Sequence, residues 1–90
     1  MFTLQLSHTS QRALDKLPLH AVKKIVSHLE EIKIDPYRPR PLADIVPVGG
    51  SKTLYRMRVG KLRIEYEVLD SERVIKIIKI FQKKRKSDYR

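Results

Sequence analysis

Apolar and polar side chains alternate in three successive stretches of the second half of the chain. In Leu54–Val59, Tyr55, Met57 and Val59 share one side, and Leu54, Arg56 and Arg58 the other. In Lys61–Leu69, Leu62, Ile64, Tyr66 and Val68 lie opposite Arg63, Glu65 and Glu67. Side chains of a strand point alternately to its two faces, so both stretches read as strands with one apolar and one charged side. Gly60-Lys61 between them suits a two-residue type II′ turn, which needs a positive φ at its first position. Arg73–Phe81 is apolar on both sides except for Lys76 and Lys79, the pattern of a central strand with both faces mostly covered. Asp70-Ser71-Glu72 reads as a hairpin loop before it.

The first half follows a different period. Phe2–Leu6 alternates and reads as a short edge strand. Thr9 or Ser10 can cap a helix over Ser10–Leu17, with Ala13, Leu14 and Leu17 on one side. Pro18 suits the first turn of a second helix, because its missing N–H has no partner there anyway. Leu19, Val22, Ile25, Val26, Leu29 and Ile32 then form one stripe, and Asp35-Pro36 ends it. Pro36–Lys52 holds four of the five prolines and the Gly49-Gly50 pair, and reads as a loop pinned by Leu42, Ile45 and Val48. The order is β-α-α-β-β-β: an α+β fold with an N-terminal α-hairpin packed on one face of a mainly antiparallel sheet. The first strand need not pair with its neighbours in sequence.

At 90 residues the chain has room for one core, so residues 1–90 read as a single domain, with 83–90 as a basic tail. Without cysteine there is no disulfide framework, thiol nucleophile or Cys-based metal site. His8, His20 and His28, spaced 12 and 8 apart on the helical half, form no clear metal pair and read as surface or helix-face residues. No apolar run reaches the roughly 18 residues of a membrane span, and the N-terminus lacks the pattern of a signal peptide. A cytoplasmic location is expected.

The formal net charge is +10, from 20 Lys and Arg against 10 Asp and Glu. Residues 1–51 carry 7 basic and 5 acidic side chains, whereas 52–90 carry 13 and 5. The basic field therefore belongs to the strands and tail, pointing to a polyanion or an acidic protein partner. Arg56, Arg58 and Arg63 share the polar face, where cross-strand neighbours lie about 5 Å apart. They can converge on phosphate, whose oxygens match the guanidinium fork. In the alternative reading, Glu65 and Glu67 neutralise them. The tail adds Lys83, Lys84, Arg85 and Lys86, then Ser87-Asp88-Tyr89.

Tyr55-Arg56-Met57-Arg58-Val59-Gly60-Lys61-Leu62-Arg63-Ile64-Glu65-Tyr66 resembles the YRxRxGxYRxxY strand–turn–strand of the RelE/ParE toxin superfamily. The short first strand, the α-hairpin, the apolar last strand and the basic end fit the same family across nearly the whole chain. The resemblance implies the RelE fold and a toxin of a type II toxin–antitoxin pair, held by a cognate RelB-like antitoxin, often in a heterotetramer. RelE members enter the ribosomal A site and cut mRNA without a metal or cofactor; ParE members act on DNA gyrase. By this resemblance Arg63, Lys84 and Tyr89 are catalytic candidates. Lys84 is matched with a register that could shift to Lys83 or Arg85. Arg56, Arg58, Lys83, Arg85 and Lys86 are expected to bind RNA. Expected products are a 2′,3′-cyclic phosphate and a 5′-OH. Arginines at 56 and 58 stand where RelE members often have lysines, which removes a usual base candidate. A gyrase inhibitor and a non-catalytic nucleic-acid-binding module remain the alternatives.

Overall fold

The structure, a computed structural model, describes residues 1–41 and 43–83. Its elements are β1 (Thr3–Leu6), α1 (His8–Asp15), α2 (Leu19–Ile34), β2 (Asp44–Pro47), β3 (Leu54–Val59), β4 (Leu62–Leu69) and β5 (Val74–Gln82), with a short 3₁₀ turn, Asp70–Glu72, before β5. The sheet runs β1-β5-β4-β3-β2. β1 pairs parallel with β5, and every other pairing is antiparallel. Both helices cover one face, where Leu14, Ile25, Leu29 and Ile32 meet Met57, Ile64, Tyr66, Ile75 and Ile77 in a single core. No helix among the described residues is long and apolar enough to cross a membrane.

The hairpin forms where the alternation places it. Val59 pairs with Leu62, so Gly60-Lys61 is a two-residue loop. Gly60 has φ 60°, while Lys61 keeps a negative φ. A positive φ at the first position alone fits the II′ turn and excludes I′, which needs two. The α1 start differs from expectation: the cap is Ser7, not Thr9 or Ser10, and its Oγ accepts from the Ser10 N–H at 3.0 Å. Ser10, fully buried, donates its hydroxyl to the Ile77 carbonyl instead. Pro18 is the N-cap of α2 and Asp35 its C-cap. Arg40 donates to the Asp35 carbonyl at 2.8 Å and to the Glu31 carbonyl, which also accepts the Asp35 N–H, and so fastens the end of α2.

Two readings of strands need correction. The proline-rich segment is not all loop: Asp44–Pro47 forms the edge strand β2, in register with β3. Its four residues carry Asp and Pro, both depleted in strands, and Pro47 is tolerated only because an edge strand needs hydrogen bonds on one side. Of the expected anchors of this segment, Ile45 is buried and Val48 half-buried, while Leu42 lies outside the described residues. The second correction concerns β5, which is interior in the sheet but not covered on both faces. Ile75, Ile77 and Ile80 face the helices, whereas Lys76, Ile78 and Lys79 are exposed. The β4–β5 register jumps between Glu65/Lys79 and Tyr66/Ile77, leaving Ile78 as the extra residue of a β-bulge. The Ile78 carbonyl is taken up by the Ser7 hydroxyl at 2.8 Å. The bulge and the helix cap are thus tied together by one side chain.

Candidate functional site

Because the helices occupy one face of the sheet, the polar partners of each strand's core residues all emerge on the other, which we call the outer face. The strand registers arrange them in rows. One row runs Asp44, Arg58, Arg63, Phe81 across β2, β3, β4 and β5. The next runs Val46, Arg56, Glu65, Lys79. Arg63 and Arg58 therefore stand directly opposite each other beside the Gly60-Lys61 turn, with Arg56 in the neighbouring row.

The three guanidiniums are engaged differently. Arg56 donates from Nε at 2.9 Å and from Nη2 at 2.6 Å to the same Glu65 oxygen, so its fork is occupied. Arg58 is ion-paired through Nη2 to Asp44 of the edge strand. Arg63 makes no contact with a carboxylate among the described residues. Its Nη1 donates to the Gly60 carbonyl at 2.8 Å and the Leu62 carbonyl at 2.9 Å. Arginine carries five N–H donors, so these two anchors leave the Nε/Nη2 edge, the edge that grips phosphate or carboxylate bidentately, without a partner among the described residues. The expected convergence of three free arginines is thus only partly realised. Glu65 neutralises Arg56, as the alternative reading anticipated. Asp44, which no period-two pattern placed near the hairpin, neutralises Arg58. Glu67 accepts instead from the Thr53 hydroxyl at 3.0 Å.

The tail begins at this end of the sheet. Leu62 pairs with Gln82, and the Lys83 N–H donates to the Lys61 carbonyl at 2.6 Å, so Lys83 sits beside the hairpin turn. Lys84, Arg85, Lys86 and Tyr89 lie outside the described residues. The histidines stay on the helical layer, where half-buried His28 holds its Nδ1 2.8 Å from Glu31 Oε1 one turn along α2. No group of three His, Cys, Asp or Glu side chains able to hold a metal occurs among the described residues.

A model of the ParE toxin of type II toxin–antitoxin systems (parDE) matches residues 4–87. The chain belongs to this toxin family. A Methanocaldococcus jannaschii protein provisionally named toxin RelE1 is 35% identical over 79 residues, covering 88% of this chain and 87% of that protein. The RelE–RelB complex of Pyrococcus horikoshii OT3 has the same fold at a TM-score of 0.81 and 27% identity, over 93% of this chain and 97% of the other. The RelB–RelE complex of Methanococcus jannaschii aligns at 0.70 and 28%, over 93% of each. Within the superfamily, then, this toxin is RelE-like.

Sequence reasoning missed Asp44 and Phe81 on the outer face. Asp44 could be found only through the β2–β3 pairing. Phe81 had a signal: strict alternation from Ile75 and Ile77 would bury Lys79, and a lysine at a core position argues for a bulge. Asp44→Asn is expected to release Arg58. Affinity for a single-stranded oligonucleotide should rise, and its salt slope should steepen by about 0.7 for a phosphate gained. Anisotropy titrations at several salt concentrations measure this. An unchanged slope would show that Asp44 does not withhold Arg58 from anions.

Proposed function

We propose that this toxin is a ribosome-dependent endoribonuclease that cuts mRNA in the A site, and that its outer sheet face and basic tail are the surface that meets RNA. The observation supporting it most directly is Arg63: a guanidinium fixed by two backbone carbonyls, with its fork edge open, beside the point where the tail begins. In the reaction, a ribose 2′-oxygen attacks the adjacent phosphorus. The bond to the 5′-oxygen breaks as the 2′-OH gives up its proton and the departing oxygen takes one up, leaving a 2′,3′-cyclic phosphate and a 5′-OH. Negative charge grows on the phosphoryl oxygens and the leaving oxygen, and a prepositioned cation lowers the barrier because it need not reorganise. Arg63 supplies that charge in this reading, with Lys84 at the leaving oxygen and Tyr89 near the 2′-OH. Arg56 and Arg58 orient the RNA backbone, Arg58 by exchanging Asp44 for a phosphate. A cognate RelB-like antitoxin would neutralise the toxin, as suggested by the two archaeal RelE relatives whose structures are complexes with RelB.

Primer extension on mRNA in a purified translation system tests this. Cuts within A-site codons that vanish when ribosomes are omitted are expected, and intact mRNA at saturating toxin would sink the reading. The family match itself favours a second reading, inhibition of DNA gyrase without catalysis. In that case supercoiling by gyrase would be blocked while ribosomal mRNA stayed whole.

A further inference from the structure

The bulge in β5 decides what the outer face presents. Up to Ile77, odd-numbered residues of the strand point into the core: Ile75 and Ile77 are both fully buried. Continued without interruption, that alternation would bury Lys79 and Phe81 and turn Ile80 outwards. The extra residue at Ile78 reverses it. Ile80 goes into the core, Lys79 pairs with Glu65, and Phe81 pairs with Arg63 on the outer face. Bulges commonly re-aim side chains in this way beside functional sites. The outcome is a half-buried phenyl ring on a face that no helix covers among the described residues, in one row with Arg63 and Arg58. The Lys79 ammonium lies 4.7 Å from the ring centroid. Such a ring has hydrophobic area to cover and cations on two sides of it. A flat π-face with one guanidinium on the adjacent strand is the combination by which sheet surfaces hold single-stranded nucleic acid: bases stack on the ring, and phosphates meet the cation.

We propose that Phe81 is a base-stacking platform for single-stranded RNA, seating one nucleobase while the open edge of Arg63 takes the adjoining phosphate. The proposal deepens the RNA reading above, on which it rests, by adding a subsite for the base to one for the phosphate. Stacking tolerates any base, so Phe81 would add affinity without dictating sequence. Lys79 would move from the ring toward the RNA backbone.

The test uses the full chain without ribosomes, and two probes: a uridine tetranucleotide and a fully abasic tetranucleotide with the same phosphates. The wild type is expected to prefer the base-containing probe by about five- to a hundredfold. Phe81→Leu should lose most of that preference while keeping the salt slope, and Phe81→Tyr should restore it. The chain has no tryptophan, so Phe81→Trp provides a single reporter whose emission should be quenched by the uridine probe and not by the abasic one. Equal binding of the two probes by the wild type, or an undiminished preference in Phe81→Leu, would overturn the proposal. The nuclease reading fails separately. A chain that stacks bases yet leaves ribosomal mRNA intact keeps the platform and loses the nuclease; one that cuts but shows no base preference does the reverse.

Discussion

Arg63→Ala is expected to slow mRNA cleavage on ribosomes by about 10²–10³-fold, the loss typical of removing one prepositioned donor from a site where charge develops. The size follows from geometry. Nη1 is spent on the Gly60 and Leu62 carbonyls, which hold the guanidinium while leaving its fork edge open. Arg63→Lys should recover only part of the rate, since an ammonium restores the charge but not the planar fork. Arg56→Ala should cost less than Arg63→Ala, because Glu65 already occupies the fork of Arg56. Single-turnover cleavage on programmed ribosomes would rank the three. Wild-type rates for Arg63→Ala would remove that residue from the chemistry. A larger loss for Arg56→Ala would mean that the ion pair with Glu65 opens when RNA binds.

The second large effect falls on stability. Tyr66→Ala should cost about 3–5 kcal/mol, a heavy loss for a chain whose whole margin is about 5–15 kcal/mol. Tyr66 is completely buried, and its hydroxyl donates to the Pro36 carbonyl at 2.6 Å. Its ring stacks on Tyr55 with centroids 5.9 Å apart, and Tyr55 meets Tyr37 edge-on at 5.4 Å. One side chain thus fastens the end of α2 and the segment leading to β2 onto the sheet. Tyr66→Phe keeps the ring and strands the buried carbonyl, at a cost of about 1–3 kcal/mol. The hydroxyl also makes stability depend on alkaline pH. Burial, opposed by the nearby Arg40, pushes the phenol of Tyr66 well above its ordinary value. In the unfolded chain it ionises near pH 10. Above that pH the unfolded state loses its proton first, so this contribution is complete below pH 10 and shrinks as pH rises. The slope is about 1.4 kcal/mol per pH unit for one group. Denaturant midpoints from pH 8 to 11.5 should fall more steeply for the wild type than for Tyr66→Phe. Parallel curves would show that burial of this hydroxyl is not what sets the alkaline limit.

The features legible without coordinates are those that depend on near neighbours in the chain. Alternation set the span of β3 and that of β4 to within a residue, and Gly60 marked the only place where the turn could take a positive φ. The stripe from Leu19 to Ile32 announced α2. The crowding of basic residues from Lys52 onward could be counted directly, and the motif around Arg56, Arg58 and Arg63 led to the toxin family. What stayed hidden involves partners far apart in sequence. β2 is too short and too rich in Asp and Pro to declare itself, and exists because β3 offers it an edge. The parallel union of β1 with β5 joins the two ends of the described chain. The bulge at Ile78 exists in relation to β4, and through it Lys79 and Phe81 reach the face of the arginines. Composition could likewise count three arginines near one turn but could not say which of them stays open. That depends on cross-strand register, which puts Glu65 opposite Arg56, Asp44 opposite Arg58 and a second cation opposite Arg63, because a charge pairs with whatever the neighbouring strand brings within reach.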